Sequence, residues 1–208
     1  GTIQKIGRTL VKKRLQYKFN GTFELQRMKA IETKLKGCFI LEPNVLKDTR
    51  GYFFESFNQN KFSELIGQEI KFVQDNESFS SKGVLRGLHF QTGDYAQAKL
   101  VRVVKGTVLD VVVDMRKESS TFSKHFSIEL SEDNKRQLFV PRGFAHGFIV
   151  LSDTAIFSYK CDNFYDKASE QGLRYDDPTL GIDWKLPSNE FIVSEKDLVL
   201  PTLSNRSI

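Results

Sequence analysis

Leu100-Val101-Arg102-Val103-Val104-Lys105-Gly106-Thr107-Val108-Leu109-Asp110-Val111-Val112-Val113-Asp114-Met115 is the stretch whose reading decides the fold class. β-Branched side chains crowd both sides of Lys105-Gly106, and such residues fit a pleated, buried surface. Glycine supplies the positive-φ backbone of a tight reversal, so the segment reads as two strands paired as a hairpin about Lys105-Gly106. Outward from it, similar short runs recur at residues 38–41, 52–57, 72–76, 126–130, 137–140, 147–151 and 155–159. They are separated by turn chemistry such as Asp48-Thr49-Arg50-Gly51 and Ser80-Ser81-Lys82-Gly83. Phe62, Leu65 and Ile66 share one face of a short helix that Gly67 can end. Many short strands with glycine and polar turns predict an all-β sandwich or barrel with a few short helices. The last segment, carrying Pro178, Trp184, Pro187 and Pro201, reads as loop with a short helix.

The 208 residues suffice for one domain with a sizeable core. No apolar run approaches the roughly 18–20 residues that span a membrane. Cys38 and Cys161 are too few and too far apart for a disulfide framework, which fits a reducing cytoplasm. The net charge of +5 invites a nucleic-acid reading, but its distribution argues against one. Residues 1–36 hold ten Lys/Arg against Glu24 and Glu32, whereas residues 37–208 hold 21 basic and 24 acidic residues. The body is therefore mildly acidic. The chain starts with Gly, and Met28-Lys29-Ala30 resembles a translation start. Residues 1–27 accordingly read as an expression-derived leader, with a native basic arm as the alternative, and residues 28–208 as a single domain.

Three histidines are available for chemistry: His89, His125 and His146. Pro141-Arg142-Gly143-Phe144-Ala145-His146 resembles the later histidine turn of the cupin barrels, which often bind a metal through two closely spaced His, a Glu and this later His. The earlier element is incomplete. His89-Phe90-Gln91 has Gln where a second His would stand, and Lys99 is unfavourable beside a cation. No metal is expected, and a metal-dependent cupin oxygenase is disfavoured. Arg86-Gly87-Leu88-His89 instead sets a cation near an imidazole able to act as a base at neutral pH. Taken alone, His89 beside Phe90 reads more readily as a core histidine than as a base.

A wider set of segments changes that weighting. In order, these are residues 54–58 (Phe-Glu-Ser-Phe-Asn), 72–76 (Phe-Val-Gln-Asp-Asn), 84–91 (Val-Leu-Arg-Gly-Leu-His-Phe-Gln), 99–102 (Lys-Leu-Val-Arg), 134–138 (Asn-Lys-Arg-Gln-Leu), 139–148 (Phe-Val-Pro-Arg-Gly-Phe-Ala-His-Gly-Phe) and 181–184 (Gly-Ile-Asp-Trp). Together they closely resemble the dTDP-4-dehydrorhamnose 3,5-epimerase family, from about Gly37 to about Leu200. The resemblance implies a cupin-type jelly roll, no cofactor, and a homodimer with exchanged strands. It also implies inversion of C3 and C5 of a 4-keto-6-deoxy sugar carried on dTDP.

The roles it implies are specific. His89 is the base, Asp197 the carboxylate paired with it, Tyr159 the acid on the opposite face and Lys99 the cation near the enolate oxygen. Substrate contacts fall on Arg50, Phe53, Glu55, Gln74, Asn76, Arg86, His146 and Tyr165. Read as structure alone, Asp197 is a helix-end acid, Tyr159 a strand aromatic and Lys99 a solvated lysine. One departure stands out: Glu77 occupies a position where a histidine is expected in many relatives. The alternatives are an epimerase of C3 or C5 alone, a ketoisomerase of another dTDP-deoxysugar route, and a non-catalytic nucleotide-sugar-binding cupin. The joint presence of His89, Tyr159 and Lys99 disfavours the last, because binding alone needs neither acid nor base.

Overall fold

A computed structural model describes residues 28–205; the leader read at residues 1–27 lies outside them. Fourteen strands and two helices are described: β1 (Lys29–Glu32), β2 (Phe39–Glu42), β3 (Leu46–Asp48), β4 (Gly51–Phe53), α1 (Gln59–Ile66), β5 (Gln74–Ser81), β6 (Val84–Gln91), β7 (Lys99–Lys105), β8 (Thr107–Asp114), β9 (His125–Ser131), β10 (Gln137–Val140), β11 (Phe144–Val150), β12 (Thr154–Cys161), β13 (Glu170–Gly172), β14 (Ile192–Val193) and α2 (Glu195–Leu198). One sheet runs β1-β2-β10-β7-β12-β5, and the other runs β13-β6-β11-β8-β9 with β14 added beside β6. The all-β sandwich expected from the strand spacing is what forms.

The central expectation about pairing does not hold. β7 and β8 do not form a hairpin: β7 lies between β10 and β12, and β8 lies between β11 and β9 in the other sheet. Gly106 is the corner at which the chain changes sheets. Its φ of +78° suits glycine, and a Cβ there would meet the Thr154 carbonyl oxygen at 2.1 Å. The Gly106 N–H donates to Glu132 Oε1 (2.8 Å) and its carbonyl accepts from Glu132 N–H (2.9 Å).

The valine runs are explained by burial on both faces. Val101, Val103, Val108 and Val112 enter the layer between the sheets with Phe144, Phe148 and Phe157. Leu109, Val111 and Val113 pack outward against Leu173, Leu180 and Trp184 of the C-terminal segment. A strand covered on both faces reads as a continuous apolar run, so hairpin and corner look alike in sequence.

The outer face of the first sheet is covered by α1. Asn58 Oδ1 caps it by accepting from Lys61 N–H (3.2 Å), and Gly67 ends it in the left-handed conformation. Phe62 docks against Phe57, Phe72 and Phe139 at ring separations of 5.3–5.7 Å. Two boundaries differ from expectation. The aromatic strand at residues 52–57 ends at Phe53, because Phe57 turns into this cluster. The strand expected at 72–76 begins at Gln74 and continues through Ser81, because β12 pairs with its whole length.

Asp114 closes the end of β8. Its carboxylate accepts from Arg116 Nε (2.9 Å), Ser119 Oγ (2.6 Å) and Thr121 Oγ1 (2.7 Å), while the Arg116 guanidinium lies 4.6 Å from the Phe144 ring centre. Burial alone raises an acid's pKa, but these donors outweigh it and hold Asp114 at about 2, below its ordinary 3.8. A depressed folded-state pKa stabilises the fold above the unfolded value, and that contribution is lost as pH falls through the folded one. Asp114→Asn is therefore expected to be less stable than the parent at pH 7. The gap closes between pH 3.8 and about 2, as read from urea midpoints across that range.

Candidate active site

The site lies between the sheets and begins with an irregularity. In a regular strand, residues three apart face opposite sides, yet Arg86 and His89 both enter one cleft. The register of β11 against β6 shifts between His146 and Phe148: His146 pairs with His89, but Phe148 pairs with Arg86. Such a bulge re-aims side chains. It needs two glycines in contact. A Cβ on Gly87, whose φ is +118°, would lie 2.7 Å from Gly147 Cα and from the His146 oxygen, and one on Gly147 would lie 2.6 Å from the Arg86 oxygen. The Gly87–Leu88 peptide bond is cis.

The resulting cleft, about 610 Å³, is lined by Arg86, His89, Lys99, His146, Tyr159 and Asp197 among others. All four residues assigned catalytic roles by resemblance, and two of the eight assigned contacts, thus meet in one place. His89 Nε2 and Asp197 Oδ1 are 2.6 Å apart. Asp197 is 3% exposed, sits on α2 and also accepts from the Gly87 N–H (3.3 Å). Burial opposes its charge, but the imidazole, the Gly87 N–H and Ser194 outweigh that and lower its pKa. An ionised Asp197 can only accept, so His89 Nε2 carries the proton of this hydrogen bond and Nδ1 is the ring nitrogen left for other contacts.

A second pair stands beside the first. His146 Nε2 lies 2.9 Å from Asp110 Oδ2, and the His146 ring stacks against Phe157. Asp110 is fully buried, and its Oδ1 has no hydrogen-bond partner among the described residues. Burial raises its pKa, with His146 and Lys99 opposing.

Across the cleft, β7 and β12 contribute Lys99 and Tyr159. Lys99 makes no ion pair among the described residues; its Nζ lies 5.8 Å from the Tyr159 ring centre, and burial lowers its pKa. Burial likewise raises the Tyr159 pKa, so the phenol stays protonated well above neutral pH. No three His, Cys, Asp or Glu among the described residues are grouped to hold a metal ion.

Several predicted contacts lie elsewhere. Gln74 and Asn76 stand on β5 outside the cleft lining: Gln74 Nε2 donates to Asn76 Oδ1 (3.0 Å), and Asn76 reaches Cys161 Sγ (3.7 Å). Arg50 pairs with Asp48 at the tip of the β3–β4 ribbon. Phe53 on that ribbon is 69% exposed, and Glu55 beyond it pairs with Lys61 at 2.7 Å. Tyr165 is exposed, and its hydroxyl donates to Glu170 Oε2 (2.9 Å).

Sequence reasoning passed over Lys196 and Glu170. Lys196 lines the cleft one residue before Asp197, and its Nζ lies 2.5 Å from Glu170 Oε2. Asp110 was also passed over, although a lone acid inside Leu109–Val113 was a visible signal. Glu77 lines the cleft as well.

The comparisons with known proteins follow the same line. The profile of the family described as dTDP-4-dehydrorhamnose 3,5-epimerase matches residues 32–205. The dTDP-4-dehydrorhamnose 3,5-epimerase of Shigella flexneri is 53% identical over 171 residues, 82% of this chain and 93% of that protein. The crystal structure of the Elizabethkingia anophelis enzyme of that name is 55% identical with a TM-score of 0.84, covering 88% of this chain and all of that one. The Legionella pneumophila dTDP-6-deoxy-D-glucose-3,5-epimerase, solved with dTDP-4-keto-L-rhamnose, is 47% identical with a TM-score of 0.82, covering 86% of this chain and 94% of that one.

Gly87→Ala is expected to push β6 from β11 and to lower the unfolding free energy by ~2 kcal/mol or more, since positive φ and overpacking act together. Urea denaturation of the purified variant reads the loss directly.

Proposed function

The chain belongs to the dTDP-4-dehydrorhamnose 3,5-epimerase family, and from that premise we propose that it inverts C3 and C5 of dTDP-4-dehydro-6-deoxy-D-glucose, giving dTDP-4-dehydro-L-rhamnose. The carrying observation is the His89–Asp197 pair facing Tyr159 and Lys99 across one cleft. The C4 ketone acidifies the protons on C3 and C5, because removing either leaves an enolate with its charge on O4. Inversion then needs a base and an acid on opposite faces of the sugar. His89 stands on β6 of one sheet and Tyr159 on β12 of the other, so a sugar between the sheets meets them from opposite sides.

His89 Nδ1 takes the proton, and Asp197 stabilises the imidazolium through Nε2–H. Lys99 balances the charge on O4. Tyr159 donates to the carbon from the far face, and exchange with solvent returns both groups to their starting states before the second carbon reacts. The ketone supplies the acidity, so the reaction calls for no metal or cofactor.

Arg86 and Lys196 supply cations at the cleft for the diphosphate. The exposed ribbon carrying Arg50 and Phe53, with Glu55 beyond it, supports a homodimer in which these residues complete the nucleotide end of the partner's site, beside Gln74, Asn76 and Tyr165. No described helix is long and apolar enough to cross a membrane; we assign the protein to the cytoplasm, where both buried thiols stay free.

Incubation with dTDP-4-keto-6-deoxyglucose in deuterated water tests the reading, with deuterium expected at both C3 and C5. Label at one carbon only selects a single-site epimerase. His89→Ala is expected to slow exchange by ~10²–10⁴-fold. Tyr159→Phe should retain exchange while losing inversion. Normal exchange by His89→Ala would sink the mechanism.

A further inference from the structure

Three neighbouring strands are in register at Lys99: Val140 on β10 and Cys161 on β12 flank Lys99 on β7. Just beyond that row the chain leaves the sheet at Ala98, at Pro141-Arg142 and at Asp162. One carboxylate joins all three exits. Asp162 Oδ1 accepts from the Ala98 N–H at 2.6 Å, and Oδ2 accepts from Arg142 Nε at 2.8 Å. The Asp162 N–H donates back to the Ala98 oxygen at 3.1 Å. The Asp162 side chain is 7% exposed. Next door, buried Gln97 donates through Nε2 to the Asn163 oxygen at 2.7 Å. Residues 97–98 and 162–163 are thus clasped by three hydrogen bonds at the point where Lys99 enters the cleft, and Arg142 adds a fourth to the same carboxylate.

Lys99 needs such a clasp more than most lysines. It has no carboxylate partner among the described residues, and its neighbour in the cleft is the Tyr159 ring. Where its ammonium sits therefore depends on its own backbone, at the first residue of a strand, where hydrogen-bonded structure frays most readily. Arg142 lies just past β10, whose Val140 pairs with Lys99, so the same carboxylate also ties down the strand beside Lys99. We infer that Asp162 is a positioning residue for the reaction: it pins the start of β7 so that Lys99 meets the developing charge on the substrate oxygen. This rests on the reading of Lys99 given above.

The test is steady-state kinetics of the full chain with dTDP-4-keto-6-deoxyglucose, for Asp162→Ala, Asp162→Asn, Lys99→Met and the Asp162→Ala/Lys99→Met double variant. A misplacement of about 1 Å in a reacting group can cost ~100-fold. Asp162→Ala is therefore expected to lower kcat by roughly 10–100-fold with KM within about threefold. Asp162→Asn keeps an acceptor for the Ala98 N–H and should recover most of the loss. In the Lys99→Met background, Asp162→Ala should cost little more, because its effect runs through Lys99.

A parental kcat for Asp162→Ala, or the same fractional loss in both backgrounds, overturns the inference while leaving Lys99 in place. Normal turnover by Lys99→Met overturns the reading of Lys99 itself. If Asp162→Ala does not fold, Arg142→Met carries the test: it frees Oδ2 alone, and a severalfold loss of kcat that disappears without Lys99 is the expected result.

Discussion

Gly87 against Gly147 is the contact on which the site depends. Their backbones approach so closely that no side chain fits between them, and the register shift there turns both Arg86 and His89 inward. The same bulge offers the Gly87 N–H to Asp197. The carboxylate is thereby held by the backbone of the strand whose histidine it orients. Remove the close approach and His89, Arg86 and Asp197 lose their common reference at once.

A second regularity concerns charge withdrawn from water. Isolated buried charges are expensive, so they are normally paired. Asp197 with His89 and Asp110 with His146 follow that rule. Lys99 and Asp110 Oδ1 depart from it: the ammonium has no ion pair and the oxygen no donor among the described residues. Unbalanced polarity costs stability and tends to survive where chemistry uses it. A cation left without a carboxylate suits the enolate of the proposed reaction, since a resident counter-ion would already have spent its field.

The layered core explains how such a site stays in place. Aromatic and aliphatic packing closes three layers: under α1, between the sheets, and beneath the C-terminal segment. The last of these matters most for the proposed function, because it delivers Asp197. β14 pairs with β6, the Leu203 N–H donates to Asp177, and Lys196 reaches Glu170, so a short helix far along the chain is docked from several sides.

Much of this was legible in the sequence. β-Branched runs and glycine turns determined an all-β chain, because strand propensity is local and repeats every two residues. The ordered motifs around His89, Lys99, His146 and Tyr159 determined the chemistry to look for. Pairing partners were another matter. A valine run buried on both faces looks the same whether its neighbour lies in the same sheet or the opposite one, so in sequence the corner at Gly106 is indistinguishable from a hairpin. The facing of Arg86 and His89 required a bulge that residue spacing does not encode. Only the tertiary structure brought Asp197 to within 2.6 Å of His89, because that contact spans 108 residues and is made by packing, which no local pattern records.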